Sequence, residues 1–403
     1  MLPRLIQPVL EELFERYPVV TMTGPRQAGK TTLCRAVFSG LPYVNLERPD
    51  VRLLAQEDPL GFLGRYPDGA VIDEVQRVPE LLSYIQVRVD EVRRPGQFVL
   101  TGSQNFSLSQ GISQSLAGRT ALLRLLPLSV EETGTAGLDL SVDEMLFRGF
   151  YPRLYEMQLN PTQMLGDYFE TYVERDVRQL SELRDLVTFQ RFVRLLAGRT
   201  GQLVNYSSLG GDVGVSHTTI REWLSLLEAS YVIFRLPPYF ANISKRLVKS
   251  PKIYFVDVGL AAYLLGIESA AQIFTHPLRG ALFENLVVAE ALKARTHRGQ
   301  RGDNLFFYRD SSGLEVDLLL AVADRLIGVE MKSGATFSKS FLKGLRQLSG
   351  VLGDRLARRV VVHDADSTFP VGDVTVTRPR DVAGVLRRLS GELAGDYSGQ
   401  ITK

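Results

Sequence analysis

Gly24, Gly29, Lys30 and Thr31 stand in the stretch TMTGPRQAGKTTL (residues 21–33) at the spacing G-x-x-x-x-G-K-[ST]. Glycines at these places let the backbone curl until its N–H groups face an anion. A lysine reaches the outer phosphates, and a hydroxyl is offered to Mg²⁺. Pro25, Arg26, Gln27 and Ala28 complete the loop, and Thr32 follows Thr31 in the next helix. The nine residues 24–32 form the expected nucleotide site, with ATP and Mg²⁺ as its cofactors. The flanks fit. YPVVTMTG before the loop is apolar and β-branched, like a buried strand, and KTTLCRAVF after it reads as a helix whose N-terminus faces the anion.

A second apolar strand, AVIDEVQ (70–76), ends in two acids. Asp73 at the strand end is placed to hold Mg²⁺ with Thr31, and Glu74 to polarise an attacking water. A third, QFVLTGSQN, turns polar at Thr101, Ser103, Gln104 and Asn105, where a side chain can meet a γ-phosphate or that water. Arg119 precedes a fourth apolar strand, TALLRLLPLS.

Two further constellations lie downstream. Residues 188–239 read as helix, short helix YSSLGGDVG, a third helix capped by Ser216, then the strand YVIFRLPPY. That is the order of a winged helix-turn-helix. If the third helix enters a DNA groove, His217, Thr218, Thr219 and Arg221 are the contacts, and Lys245 and Arg246 in the basic run NISKRLVKSPK meet phosphates. The rival reading is a packing or protein-interaction module with a solvated basic loop. Near the end, LFFYR, LEVDLLL and LIGVEMK read as three strands. Glu330 and Lys332 are two apart and share a face, as do Glu315 and Asp317. The helix GALFENLVVAEALKA can bring Glu284 beside Asp317, Glu330 and Lys332. Two carboxylates and a lysine make a divalent-metal hydrolytic site. Which of Glu315 and Asp317 faces inward stays open, because a slip of one residue reverses the face.

The elements that must position these groups exceed one ordinary core: 403 residues predict two or three domains. With 45% hydrophobic and 23% charged residues, and no run of 18 apolar ones, the chain reads as soluble, without a membrane partner. Its first 18 residues read as an amphipathic helix rather than a signal peptide. A single cysteine, Cys34, excludes an internal disulfide and points to the cytoplasm. Four histidines and that cysteine, all scattered, argue against structural zinc. The net charge of +2 announces no nucleic-acid binder by itself.

The order of loop, strand-end acids, polar third strand and pre-strand arginine resembles the AAA-type ATPases. GPRQAGKTTL, DEVQ, LTGSQ, SLAGR, YVERDV, KSPKIYFVDVGLAAYLL, FENLVVAEAL, EVDLLL and VEMKSG together resemble the bacterial and archaeal members that carry a fused C-terminal domain of unknown function, over about residues 1–390. The resemblance implies that Ser103 or Gln104 is a sensor and Arg119 a finger completing a neighbouring copy's site, in a homo-oligomer. A surface arginine capping a helix is the rival for Arg119. The C-terminal pattern is similar to PD-(D/E)XK nucleases, with an active or a degenerate site. The expected fold is α/β: an AAA-type P-loop domain (1–135), a helical and winged-helix region (140–245), a small α/β nuclease-like domain (246–392) and a disordered tail (393–403). The expected function is ATP hydrolysis coupled to a nuclease-like C-terminal region on double-stranded DNA. The alternative is a slow nucleotide-dependent switch that binds DNA or a protein and cuts nothing.

Overall fold

The computed structural model describes residues 1–103, 115–173, 185–240 and 250–401. Gln104, Lys245 and Arg246 lie outside them.

Helix α1 (Gln7–Arg16) leads into a sheet of five parallel strands, β1 (Val19–Thr23), β2 (Tyr43–Asn45), β3 (Ala70–Asp73), β4 (Phe98–Gly102) and β5 (Thr120–Arg124). The spatial order is β2-β3-β4-β1-β5. Strands β1, β3 and β4 are buried almost throughout, as near-continuous apolar runs require when both faces are covered. Because all strands run the same way, their C-terminal ends share one edge. That edge gathers the loop after β1, the acids after β3 and the polar residues ending β4, which is where an open α/β sheet binds ligands. Helix α2 (Lys30–Val37) starts there, and α3 (Leu81–Val92) precedes β4.

Beyond β5, two short helices open on reciprocal caps: Ser129 with Glu132 starts α4 (Val130–Thr135), and Ser141 with Glu144 starts α5 (Val142–Arg148). Then come α6 (Leu186–Ala197), α7 (Tyr206–Val213) and α8 (His217–Ala229), followed by the antiparallel pair β6 (Ile233–Leu236) and β7 (Lys252–Phe255). Ser216 caps α8 by accepting from the Thr219 N–H at 3.1 Å. Ile220, Trp223, Leu224 and Leu227 are its buried face, with Trp223 edge-on to Phe189 of α6. The β6–β7 pairing crosses the boundary expected near residue 245.

The last unit is a six-stranded mixed sheet of β8 (Leu305–Arg309), β9 (Glu315–Val322), β10 (Arg325–Lys332), β11 (Leu356–His363), β12 (Phe369–Val371) and β13 (Val374–Thr377). Its order is β12-β13-β11-β10-β9-β8. Helices α9 (Arg279–Thr296) and α11 (Val382–Ile401) cover one face, and α10 (Lys343–Leu352) covers the other. Residues 393–401 of the tail expected to be disordered instead continue α11, and Leu393 is buried in the core.

Candidate functional site

The loop 24–29 is held by backbone that other residues would not tolerate. Gly24 has φ +148°, and a Cβ there would lie 2.0 Å from the Leu125 carbonyl oxygen. Gly29 has φ +92° and caps the N-terminus of α2. Gly24→Ala therefore combines backbone strain with a collision against main chain. We expect a loss of about 2 kcal/mol or more; an unchanged chemical-denaturation midpoint for this variant would contradict that.

Lys30 is buried, and its ammonium donates to the carbonyls of Gly24 and Pro25, each at 2.8 Å. Burial lowers its pKa to about 8, although Glu74 and Asp73 pull the other way. Asp73 is the hub of the site. Its Oδ2 accepts from Thr31 Oγ1 at 2.9 Å and from the Tyr43 hydroxyl at 2.7 Å. Its Oδ1 accepts from Thr101 Oγ1 and from the Glu74 N–H. The register that pairs Asn45 with Asp73 is what brings Tyr43 of β2 within reach. Burial, and then the bond to Asp73, push the Tyr43 phenol well up.

Glu74 has a left-handed backbone (φ 58°), which turns it out of the strand line. Its Oε2 accepts from Gln76 Nε2 and, at 3.4 Å, from Ser103 Oγ. Burial raises its pKa against the pull of Lys30 and Arg26. The sheet edge thus brings together Lys30, Thr31, Asp73, Glu74 and Ser103. Tyr43 and Gln76 escaped sequence reasoning. Gln76 stood inside the quoted DEVQ, and its polarity so close to two acids was the available signal.

Arg119 is elsewhere. It is fastened to Asp90 of α3 by Nε at 2.6 Å and Nη2 at 2.8 Å, and its carbonyl accepts from Val19 N at the start of β1. It lies at the opposite edge of the sheet from its own loop.

A second polar cluster forms where α9, β7, β9 and β10 meet. Asp317 Oδ2 accepts from the Met331 N–H at 2.8 Å, so Asp317 faces inward towards Glu330 and Lys332. Lys332 Nζ lies 3.0 Å from Glu330 and 3.9 Å from Asp317. Burial, and then Glu330, push the Asp317 carboxyl up to about 7. Strand alternation breaks here. Val316 packs under α10 and Leu318 under α9, because β9 carries an extra residue between Val316, paired with Tyr308, and Leu319, paired with Phe306. Glu284 does arrive, but it comes with a second lysine. Lys252 is 3% exposed, with its ammonium 2.9 Å from Glu284 and 2.6 Å from Glu315. Tyr254 also donates to Glu284, at 2.6 Å. Burial opposes the charge on Lys252, but Glu284, Asp317 and Glu315 outweigh it and raise its pKa to about 12. Among the described residues, no group of three or more His, Cys, Asp or Glu is arranged as metal ligands. The four acids here share two ammonium groups, Lys252 with Glu284 and Glu315, and Lys332 with Glu330 and Asp317.

On α8, His217, Thr218 and Arg221 are exposed. Thr219 is half-buried and spends its hydroxyl on Ser216 at 2.9 Å, and Arg221 lies over the Tyr206 ring. No described helix is long and apolar enough to cross a membrane.

Residues 16–134 match an AAA domain, residues 139–271 a domain of unknown function (DUF8612), and residues 279–380 a second domain of unknown function (DUF4143). An uncharacterized protein of Mycobacterium tuberculosis is 35% identical over 380 residues, covering 92% of this chain and 82% of that protein. One from Haemophilus influenzae is 25% identical over 279 residues, 65% of this chain and 64% of that protein. Among solved structures, a Walker-type ATPase of Pyrococcus abyssi is 16% identical with a TM-score of 0.42, over 64% of this chain and 94% of that one.

Proposed function

This chain belongs to the family of that mycobacterial protein and carries an AAA domain over residues 16–134, and on that premise we propose that it binds and hydrolyses ATP and couples nucleotide state to a nucleic-acid-binding C-terminal region. The observation that carries the reading is the 2.9 Å bond from Thr31 of the loop to Asp73 at the end of β3. It joins the two motifs that the sequence holds 42 residues apart. Thr31 and Asp73 are hard oxygen donors side by side, which fits Mg²⁺, and they would hold it. A Mg²⁺ ion held there would supply charge neutralisation to the transferred phosphoryl group.

The chain's own residues do the rest. Backbone N–H groups of the loop and the Lys30 ammonium bind the phosphates. Glu74 accepts the proton of the attacking water. Gln76 and Ser103 hold that carboxylate in place, and Ser103 is our choice for the sensor. Asp73 is fixed by Tyr43 and Thr101 as well as by Thr31, so the metal ligand keeps one orientation. Arg119 cannot serve its own loop from the far edge of the sheet. It would act on a neighbouring copy after leaving Asp90, which makes a homo-oligomer the active form. Exposed His217, Thr218 and Arg221, with the basic run beyond β6, are the DNA-contacting positions of this reading.

The second reading, a switch that cuts nothing, is favoured by Lys252. A buried ammonium on Glu284 and Glu315 already supplies positive charge where a nuclease would need a metal ion. One experiment separates the two readings. The purified protein is incubated with ATP, with plasmid or single-stranded DNA, and with Mg²⁺ or Mn²⁺, while phosphate release and strand cleavage are followed. We expect phosphate release, and no cleavage beyond that of Lys332→Ala. Metal-dependent cutting lost in Lys332→Ala would restore the nuclease, and no phosphate release from the wild type would remove the ATPase.

A further inference from the structure

The nucleotide loop is gripped by a residue of the segment that precedes β1. Arg4 precedes the matched AAA segment (16–134) and is 7% exposed. Its guanidinium donates through Nη1 to the Ala28 carbonyl at 2.5 Å, through Nη2 to the Leu126 carbonyl at 2.6 Å, and through Nε to Glu132 at 3.2 Å. The Ala28 contact governs how the loop points. A trans peptide is planar, with its C=O and the following N–H directed to opposite sides. Holding the Ala28 oxygen against Arg4 turns the Gly29 N–H the other way, towards the face on which a loop of this kind receives phosphate. Gly29 has the conformational freedom to flip that peptide, and Arg4 removes it.

Arg4 is itself held by Glu132, which links it to the C-terminal end of α9. Glu132 is 1% exposed and also accepts from the N–H groups of Leu5 at 2.7 Å and Ser129 at 2.8 Å. Its Oε2 lies 3.4 Å from Nδ1 of His297, just past the end of α9. The Leu126 N–H donates to His297 Nε2 at 3.2 Å, so this nitrogen is the acceptor and the ring proton is on Nδ1, towards Glu132. The same helix face continues the grip: Lys293 donates to the Leu128 carbonyl, and Glu290 accepts from the Val130 N–H. Residues 126, 128 and 130, which leave the nucleotide-binding sheet, are therefore bound in succession by one stripe of α9. Roughly 20 Å along that helix stands Glu284, in the lysine–carboxylate cluster.

We propose that Arg4 is a positioning residue of the nucleotide loop, and that Arg4, Glu132 and His297 form the link through which the loop's peptide orientation and the docking of α9 depend on each other. This rests on the reading that the loop binds nucleotide. Coupling between two sites is reciprocal. Nucleotide that favours the pinned loop must therefore favour docked α9, and loosening either end must weaken the other.

The test follows both ends in the full chain. A fluorescent ATP analogue is titrated into the wild type, Arg4→Met and Arg4→Lys, and hydrogen exchange across residues 286–300 is followed with and without a non-hydrolysable ATP analogue. We expect Arg4→Met to weaken binding about tenfold or more, with Arg4→Lys in between. We expect nucleotide to slow exchange at 286–300 in the wild type and to leave it unchanged in Arg4→Met held at saturation. Wild-type affinity in Arg4→Met overturns the inference. So does wild-type protein that binds nucleotide without any change at 286–300. If Arg4→Met does not fold, Glu132→Gln takes its place with the same two expectations and the same two overturning results. Wild-type protein that binds no nucleotide fails differently: it removes the ATP reading itself, and this inference with it.

Discussion

Exchanging Glu74 for Gln lowers ATP turnover by about 10²- to 10⁴-fold, the range of a lost general base, and leaves nucleotide binding in place. The amide keeps the size of the carboxylate and can still pair with Ser103, but it cannot take a proton from water. Two features of the site make the carboxylate suited to that step. Its left-handed backbone carries it out of line with β3, and Gln76 and Ser103 anchor the same oxygen, Oε2, leaving Oε1 as the free acceptor. Burial also raises its pKa, which makes it a stronger base than a solvated carboxylate. Binding is expected to survive because the phosphates are held by the loop and Lys30. The check is single-turnover phosphate release beside a binding titration. Undiminished release from the variant would place the base elsewhere, and loss of binding would make Glu74 a ligand-holding group instead.

The loop and the acids were legible because each is a short, contiguous signal whose geometry is local. A glycine turn after a buried strand, and acids at the end of another, need only a parallel sheet to meet. Tyr43 was invisible because nothing local marks it. It reaches Asp73 only because β2 pairs with β3 in one register. Lys252 misled for the opposite reason. It stands in a basic run that reads as phosphate-contacting or solvated, yet β7 buries it among carboxylates. Spacing is also an unsafe guide in β9, where Val316 and Leu318 lie two apart yet pack on opposite faces. Two apart in a strand means one face only where the ladder is regular, and here a bulge intervenes. Arg4 is the extreme case: an arginine near the start of an amphipathic helix carries no sequence signal for a loop 24 residues on.

Lys30→Ala weakens ATP binding by about 10²-fold or more, the usual cost of truncating a buried, hydrogen-bonded charge opposite its partner. The protein should stay folded, for a reason specific to this lysine. Burial pushes its pKa down to about 8, so the folded state disfavours the ammonium and gains nothing from its charge when no phosphate is present. Between pH 8 and the ordinary lysine range the unfolded chain holds more protons than the folded one, so this group's contribution to stability rises with pH through that window. Binding runs the other way. Phosphates favour the ammonium, so above pH 8 each binding event must take up a proton, and affinity falls by up to about tenfold per pH unit. Lys30→Arg keeps its charge throughout and is expected to show no such slope. Titrations of an ATP analogue from pH 7 to 9.5 decide the matter. A flat profile in the wild type would mean that Lys30 is not the group that meets the phosphates, because no charge at that position would then be gained or lost across its own titration.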